Sequence, residues 1–300
     1  KSFKRSKVYS SRLPRCSCGG LHIFADLFQK AEVLSMEATD SDKGSTKLIL
    51  KWCFPPFVCF LCFCFQSVML HITTAKYIAF AQKPPLHQDV GHSLLPHKEV
   101  PMKLLDAIAA AAPLLVIISL LLLKDLRLWV KLFFSNGILF VLKGVLDWMT
   151  VLPDSIGFDQ CKIRLNGKES TTDAPLRYLE RMGHLSGREY YSALLELELR
   201  GVDGKWPVRY CADMLMSGHT FVLVLYLLAL MDLGRRMTML MDPMPRAMSR
   251  FAMGIFAAIC AGSDLYLIVK NHFHYTVDVV LAIVVTLLIY TNAGMAVLTA

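Results

Sequence analysis

Polar residues along this chain fall in blocks, and the runs between them are long and apolar. Six such stretches occupy positions 48–80, 104–123, 128–152, 214–233, 248–269 and 275–297. Each approaches the roughly 20 mostly apolar residues a helix needs to cross the hydrocarbon core of a bilayer. The pattern predicts an all-α polytopic membrane protein with six transmembrane helices. The first stretch is longest and contains Pro55 and Pro56, so its span is expected to begin after that pair. The third is interrupted by Lys131, Lys143 and Asp147.

Composition agrees with the pattern. Hydrophobic residues make up 55% of the 300 positions and the mean hydropathy is +0.46, too apolar for an ordinary soluble domain. Positions 1–47 read as a basic polar tail and 48–300 as a six-helix domain interrupted by a long polar loop, 153–213. Arg and Lys are concentrated in the tail and in the connectors "KDLR" (124–127) and "GRRMTMLMDPMPRAMSR" (234–250), which marks these as cytoplasmic. With six spans both chain ends are then cytoplasmic and the loop 153–213 is lumenal or extracellular. The net charge of +8 follows from this topology and is no argument for nucleic acid. The chain opens on lysine, carries no secretory signal and stops within an apolar run, so it reads as a piece of a longer one.

Parity brings two thresholds to one membrane face. His219, within "SGHT", enters the fourth stretch from the far side, and His274 and Asp278 enter the sixth from the same side. A single histidine at an interface is ordinarily a solvated interfacial residue. Three titratable residues at one depth are costly without partners or a function. His274 and Asp278 are four apart, which on a helix makes them neighbours. The carboxylate can then hold one imidazole nitrogen and leave the other free to attack or to take a proton. His272, His274 and Asp278 are also of metal-ligand type, but the chain lacks HExxH and paired CxxC spacings, and neither metal nor cofactor is expected.

Among the nine cysteines, Cys53, Cys59, Cys62 and Cys64 lie in the first apolar run and are expected to be buried small hydrophobes, while Cys16 and Cys18 sit in the tail. Cys161 and Cys211 share the far-side loop, where an oxidising compartment permits a bridge; two free thiols are the other reading.

The stretches "CADMLMSGHT" (211–220) and "HYTVDV" (274–279) resemble the two signature motifs of the sphingomyelin synthase family, C-G-D-x-x-x-S-G-H-T and H-Y-T-x-D-V, with Ala212 in place of glycine. Upstream, "PPLHQD" (84–89) is similar to the family's P-P-L-P-D. Lys143 stands where the family has arginine, Thr150 keeps its threonine, and Ile283 replaces a tyrosine. The resemblance runs over about 84–290.

That resemblance implies a six-helix enzyme, related to the lipid phosphate phosphatases, of the Golgi or plasma membrane with its site facing lumen or exterior. It would move a phospho-headgroup from a glycerophospholipid donor to the primary hydroxyl of ceramide and release diacylglycerol. By carry-over His274 is the nucleophile, Asp278 orients it, and His219 is acid and then base. The chemistry is sound, because a neutral imidazole is a competent nucleophile and a second imidazole can shuttle the proton. Lys143, Arg209 and Lys270 are the candidate donors to phosphoryl oxygens, and Asp213 and Ser217 complete the candidate substrate-binding set. The K-x-x-x-x-x-x-R-P motif of the phosphatases is absent from the sequence. Hydrolysis of lipid phosphates, transfer of inositol or ethanolamine headgroups, and a non-catalytic transporter or scaffold remain the alternatives.

Overall fold

The computed structural model describes residues 43–80, 89–95, 102–153, 155, 157–159, 161, 179–182, 184–202, 211, 213–240 and 242–298. Its order is α1 (Lys43–Phe80), α2 (Val90–Leu94), α3 (Met102–Leu123), α4 (Leu126–Met149), α5 (Gly187–Val202), α6 (Gly218–Met237), α7 (Pro243–Lys270), α8 (Thr276–Thr291) and α9 (Ala293–Leu298), with a short 3₁₀ turn, Thr238–Leu240, between α6 and α7. All regular structure among the described residues is helical. The chain divides into two compact units, Lys1–Leu48 and Ile49–Ala300. The contacts below lie within the second.

Each of the six apolar stretches contains a helix. Among the described residues, three segments are long and apolar enough to cross a membrane by length and composition, Ile49–Ala79, Leu126–Met149 and Pro243–Lys270, whereas Ala109–Leu123 and Thr276–Thr291 are shorter apolar helices. The coarser expectation, an all-helical integral membrane protein, stands on these segments.

The core is built around α6, which packs against α3, α4, α7 and α8. Its sequence is apolar on all sides, so it is enclosed rather than striped. Phe221, Leu225, Tyr226, Ala229 and Leu233 meet Val116 and Leu120 of α3, Leu128, Leu132 and Leu139 of α4, and Ala282 and Tyr290 of α8. Outer helices show the opposite pattern. On α7, Met248, Phe251, Ile255, Phe256 and Ile259 are exposed, as a lipid-facing helix requires.

The proline pair does not start the first helix; α1 runs straight through Pro55 and Pro56. A proline at position 56 has no N–H to offer the carbonyl of Trp52, four residues back. That carbonyl is met instead by the indole Nε1–H of Trp129 at 2.9 Å, a replacement donor from the neighbouring α4. The charges within α4 are also accommodated. Lys131 pairs with Asp232 at 3.2 Å and lies over the Tyr290 ring, whose hydroxyl donates to the same carboxylate at 2.9 Å. Cys53 is exposed and Cys62 and Cys64 are half-buried, leaving Cys59 alone of that set in the interior. The departure follows from α1 presenting one side outward.

Cys161 and Cys211 form a disulfide. It sits in a separate apolar cluster with Leu194 of α5 and with Ala75, Tyr77 and Ile78 at the end of α1. The Cys211 amide donates to Thr74 Oγ1 at 3.4 Å. The segment leading into α6 is thereby tied to the end of α1, six residues before Ser217.

Candidate active site

The site is assembled at the amino-terminal ends of α6 and α8. Ser217 is the N-cap of α6, fully buried, its side chain accepting from the Thr220 amide at 3.4 Å. Its own amide donates to the main-chain carbonyl of Asp278 at 3.3 Å. That bond joins the two histidine-bearing segments directly. His219 occupies the second position of α6 and is half-buried.

His274 and Asp278 pair as expected, but not on one helical face. His274 precedes the N-cap Tyr275, and Asp278 is the third residue of α8. The carboxylate folds back over the helix start: Oδ2 accepts from the Tyr275 amide at 3.0 Å and stands 3.6 Å from His274 Nδ1. At that separation the pair is electrostatic rather than hydrogen-bonded. Catalytic hydrogen bonds often tighten only around substrate. The negative charge lies where the helix dipole favours it, and both side chains are buried.

A short strap holds this turn in place. Asp89, the last residue of "PPLHQD" and the only part of it among the described residues, caps two helices at once. It accepts from the His92 amide of its own α2 at 3.1 Å, from Thr276 N of α8 at 2.8 Å and from Thr276 Oγ1 at 2.6 Å. His92 Nε2–H donates to the carbonyl of His274 at 3.1 Å, and the His92 ring stacks on His272 at 3.9 Å. His272, whose φ is +52°, donates through Nε2 to the Leu95 carbonyl at 3.3 Å and so ties into the strap. From the other side Ser155 donates to the His272 carbonyl and the Tyr275 hydroxyl to Pro153 O at 3.3 Å. No group of metal-ligand side chains is assembled among the described residues.

Burial pushes the Asp89 carboxyl up, but hydrogen bonds from the Thr276 hydroxyl and amide and from the His92 amide outweigh it and hold the group below the ordinary carboxylate range. A depressed pKa in the folded state means the strap's stabilisation is complete above the unfolded-state value and is lost as pH falls through the lowered one. The clamp is thus intact near neutrality and opens only in acid. Its closeness also fixes Gly91. A Cβ there would collide with Thr276 Oγ1 and stand 2.9 Å from Val269 Cγ1. Gly91→Ala is expected to push α2 off α8 at a cost of about 1–3 kcal/mol, read as faster amide exchange at Thr276; unchanged exchange would mean that the strap is not clamped there.

Lys143 is buried in α4. Its ammonium donates to Asp213 and to the Met216 carbonyl at 2.5 Å and forms an ion pair with Asp147 Oδ2 at 3.0 Å. These contacts fasten the strip before Ser217 to α4. Lys143→Met strands two carboxylates and is expected to cost on the order of 3–5 kcal/mol of stability. Adding Asp147→Asn and Asp213→Asn should recover most of it in thermal unfolding; a full loss in the triple variant would contradict the ion-pair account.

Of the other candidates, Lys270 is bonded to the Tyr266 hydroxyl and lies over its ring, and Arg209 lies outside the described residues. Sequence reasoning missed Asp264. It is 1% exposed, within 3.1 Å of the Thr220 hydroxyl, which is itself 3.0 Å from Ser217 Oγ. The available signal was an acidic residue inside an apolar run.

An all-helical protein with membrane-length apolar helices thus carries two histidines near helix starts, one paired with a carboxylate in a strapped turn. Residues 210–294 match the family model described as PAP2 superfamily C-terminal. The match takes in both histidine segments and supports phosphatase- or phosphotransferase-type chemistry on lipid phosphates. No curated protein matches the chain. The superfamily is broader than the sphingomyelin synthase family that the motifs resemble.

Proposed function

We propose that the protein is a sphingolipid synthase, transferring a phospho-headgroup, most simply phosphocholine from phosphatidylcholine, to the primary hydroxyl of ceramide. One observation carries the reading: the Ser217–Asp278 main-chain bond brings the S-G-H-T and H-Y-T-x-D-V segments into one site. In this reading His274 attacks the phosphodiester phosphorus, with Asp278 stabilising the imidazole as positive charge develops. The bond to the diacylglycerol oxygen breaks and His219 supplies the proton. Ceramide then enters, His219 takes its hydroxyl proton, and the new P–O bond replaces the P–N bond. Each step conserves charge and returns both histidines to their starting states. Long acyl chains remain in lipid while the headgroup reaches the helix ends.

Hydrolysis of lipid phosphates is the second reading, supported by the superfamily match. Both use the same nucleophile and differ in the acceptor. The test is a donor panel with purified protein, fluorescent ceramide and phosphatidylcholine, phosphatidylethanolamine, phosphatidylinositol and phosphatidic acid, products being resolved by mass. A new phosphosphingolipid is expected. Phosphate release from phosphatidic acid with no ceramide product would decide for the hydrolase.

A further inference from the structure

Helix α5 differs in kind from the apolar helices around it. Its 16 residues include Arg188, Glu189, Glu196, Glu198 and Arg200, too many charges for a membrane span. One side is turned to the protein: Leu194 is buried in a cluster with Ala75, Tyr77 and Ile78 of α1 and the bridged Cys161 and Cys211, and Tyr190 and Ala193 pack against that cluster. A second side is apolar and faces outward. Tyr191, Leu195 and Leu199, spaced four apart and so aligned in one row, are 57% to 69% exposed. A third side is polar, with a cleft of about 560 Å³ lined in part by Arg181, Arg188, Glu189, Ser192 and Glu196.

The level at which this helix is held follows from its neighbours. Trp52 meets Trp129 at 5.2 Å, Phe63 meets Phe140 at 5.3 Å and Lys76 lies over Trp148 at 5.9 Å. These contacts rise in order along both helices, so α1 and α4 run parallel and end together. Each contains a segment of membrane length. Lys76, Tyr77 and Trp148, at their shared end, are of the residue types that favour the headgroup level of a bilayer. The cluster that holds α5 is built on that same end of α1.

Lipid suits the outward row better than protein does. Three side chains along roughly 12 Å of helix fall far short of the ~800 Å² per partner that a stable protein interface buries. A helix with one apolar and one polar side, by contrast, seats between headgroups and acyl chains. Charge selects the lipid. Two arginines against three glutamates give α5 no net attraction for an anionic surface, and the cleft offers arginines to a phosphate and glutamates to an ammonium. We propose that α5 is an interfacial helix whose Tyr191–Leu195–Leu199 row is seated among the upper acyl chains of a zwitterionic phospholipid leaflet, on the face at which α6 begins. The placement holds whichever group the histidines transfer. Through the Cys161–Cys211 bridge it keeps the strip before Ser217 at headgroup depth.

The test uses the whole chain in phosphatidylcholine nanodiscs, with a dansyl-bearing amino acid placed by codon suppression at Leu195 or, on the polar side, at Glu189. Phosphatidylcholine carrying a nitroxide near the top of its acyl chain should quench the label at 195 at least about threefold more than the label at 189, and aqueous iodide should show the reverse order. Added phosphatidylserine should change neither result. Leu195→Asp with Leu199→Asp should lower lipid quenching of a label at Tyr191 at least about twofold, with the Cys161–Cys211 bridge still closed by alkylation before and after reduction. Should the label at 195 open that bridge, a label at Tyr191 replaces it with the same expectation. Stronger iodide quenching at 195 than at 189 overturns the proposal. So does a label at 195 shielded from both quenchers, which would mean that a second copy or another protein covers the row, and so does lipid quenching that appears only with phosphatidylserine.

Discussion

His274→Ala is expected to abolish headgroup transfer, with a loss of at least about 10³-fold, while expression and membrane insertion persist. The side chain sits in a turn held by main-chain bonds: His92 meets its carbonyl, and Asp89 caps Thr276 two residues on. Removing the ring leaves those bonds untouched, so the effect reports chemistry rather than folding. Asp278 is harder to isolate, because its carboxylate both faces Nδ1 and accepts from the Tyr275 amide. Asp278→Asn is the cleaner substitution. It retains an acceptor for the amide and removes the charge that steadies the developing imidazolium, and is expected to cost about 10²–10⁴-fold with little change in thermal stability. In combination with His274→Ala it should add nothing, since the pair acts as a unit. Substantial transfer by purified His274→Ala protein would remove the assigned nucleophile.

The second large effect separates the two histidines by role. His219→Ala is expected to lower lipid-to-ceramide transfer by about 10²–10⁴-fold, the usual worth of a positioned acid and base. It should nevertheless retain nitrophenol release from a nitrophenyl phosphodiester carrying the accepted headgroup, because that leaving group departs without protonation. The release should appear as a single burst, one equivalent per enzyme, since the acceptor hydroxyl can no longer be activated efficiently. His274→Ala should release none. Nitrophenol per enzyme over time, in wild type and both variants, is the measurement. Equal and total loss in the two variants would dissolve the division of labour, and release by His274→Ala alone would reverse it.

Both experiments could have been designed from the sequence, and the reason lies in what a membrane imposes. Apolar runs near 20 residues and the placement of Arg and Lys between them announce helices and a provisional sidedness, and ionisable residues at run ends are rare enough to stand out. His219, His274 and Asp278 were legible on those grounds, and the motifs they sit in carried the family resemblance. The partnership within α8 was legible only in part. Spacing of four suggested one helical face, whereas the helix begins at Thr276 and the contact is made by a carboxylate folding back at its cap. Cap geometry depends on what satisfies the free amides, and here the acceptor for the Thr276 amide is Asp89, brought from another part of the chain.

Sequence by itself determined that this is a helical membrane protein, which segments are apolar, and which histidines stand at their ends. Only tertiary structure decided which way each helix is turned. Soluble helices advertise their inner face by an apolar stripe, but a helix bathed in lipid is apolar all round and its rotation is set by packing and buried polar contacts. Hence the pairing of Lys143 with Asp147 and Asp213, and the contact of Asp264 with Thr220, could not be read until α4, α6 and α7 were seen together. The same holds for the continuous passage of α1 through Pro55 and Pro56, since the donor that makes it tolerable, Trp129, belongs to a neighbouring helix.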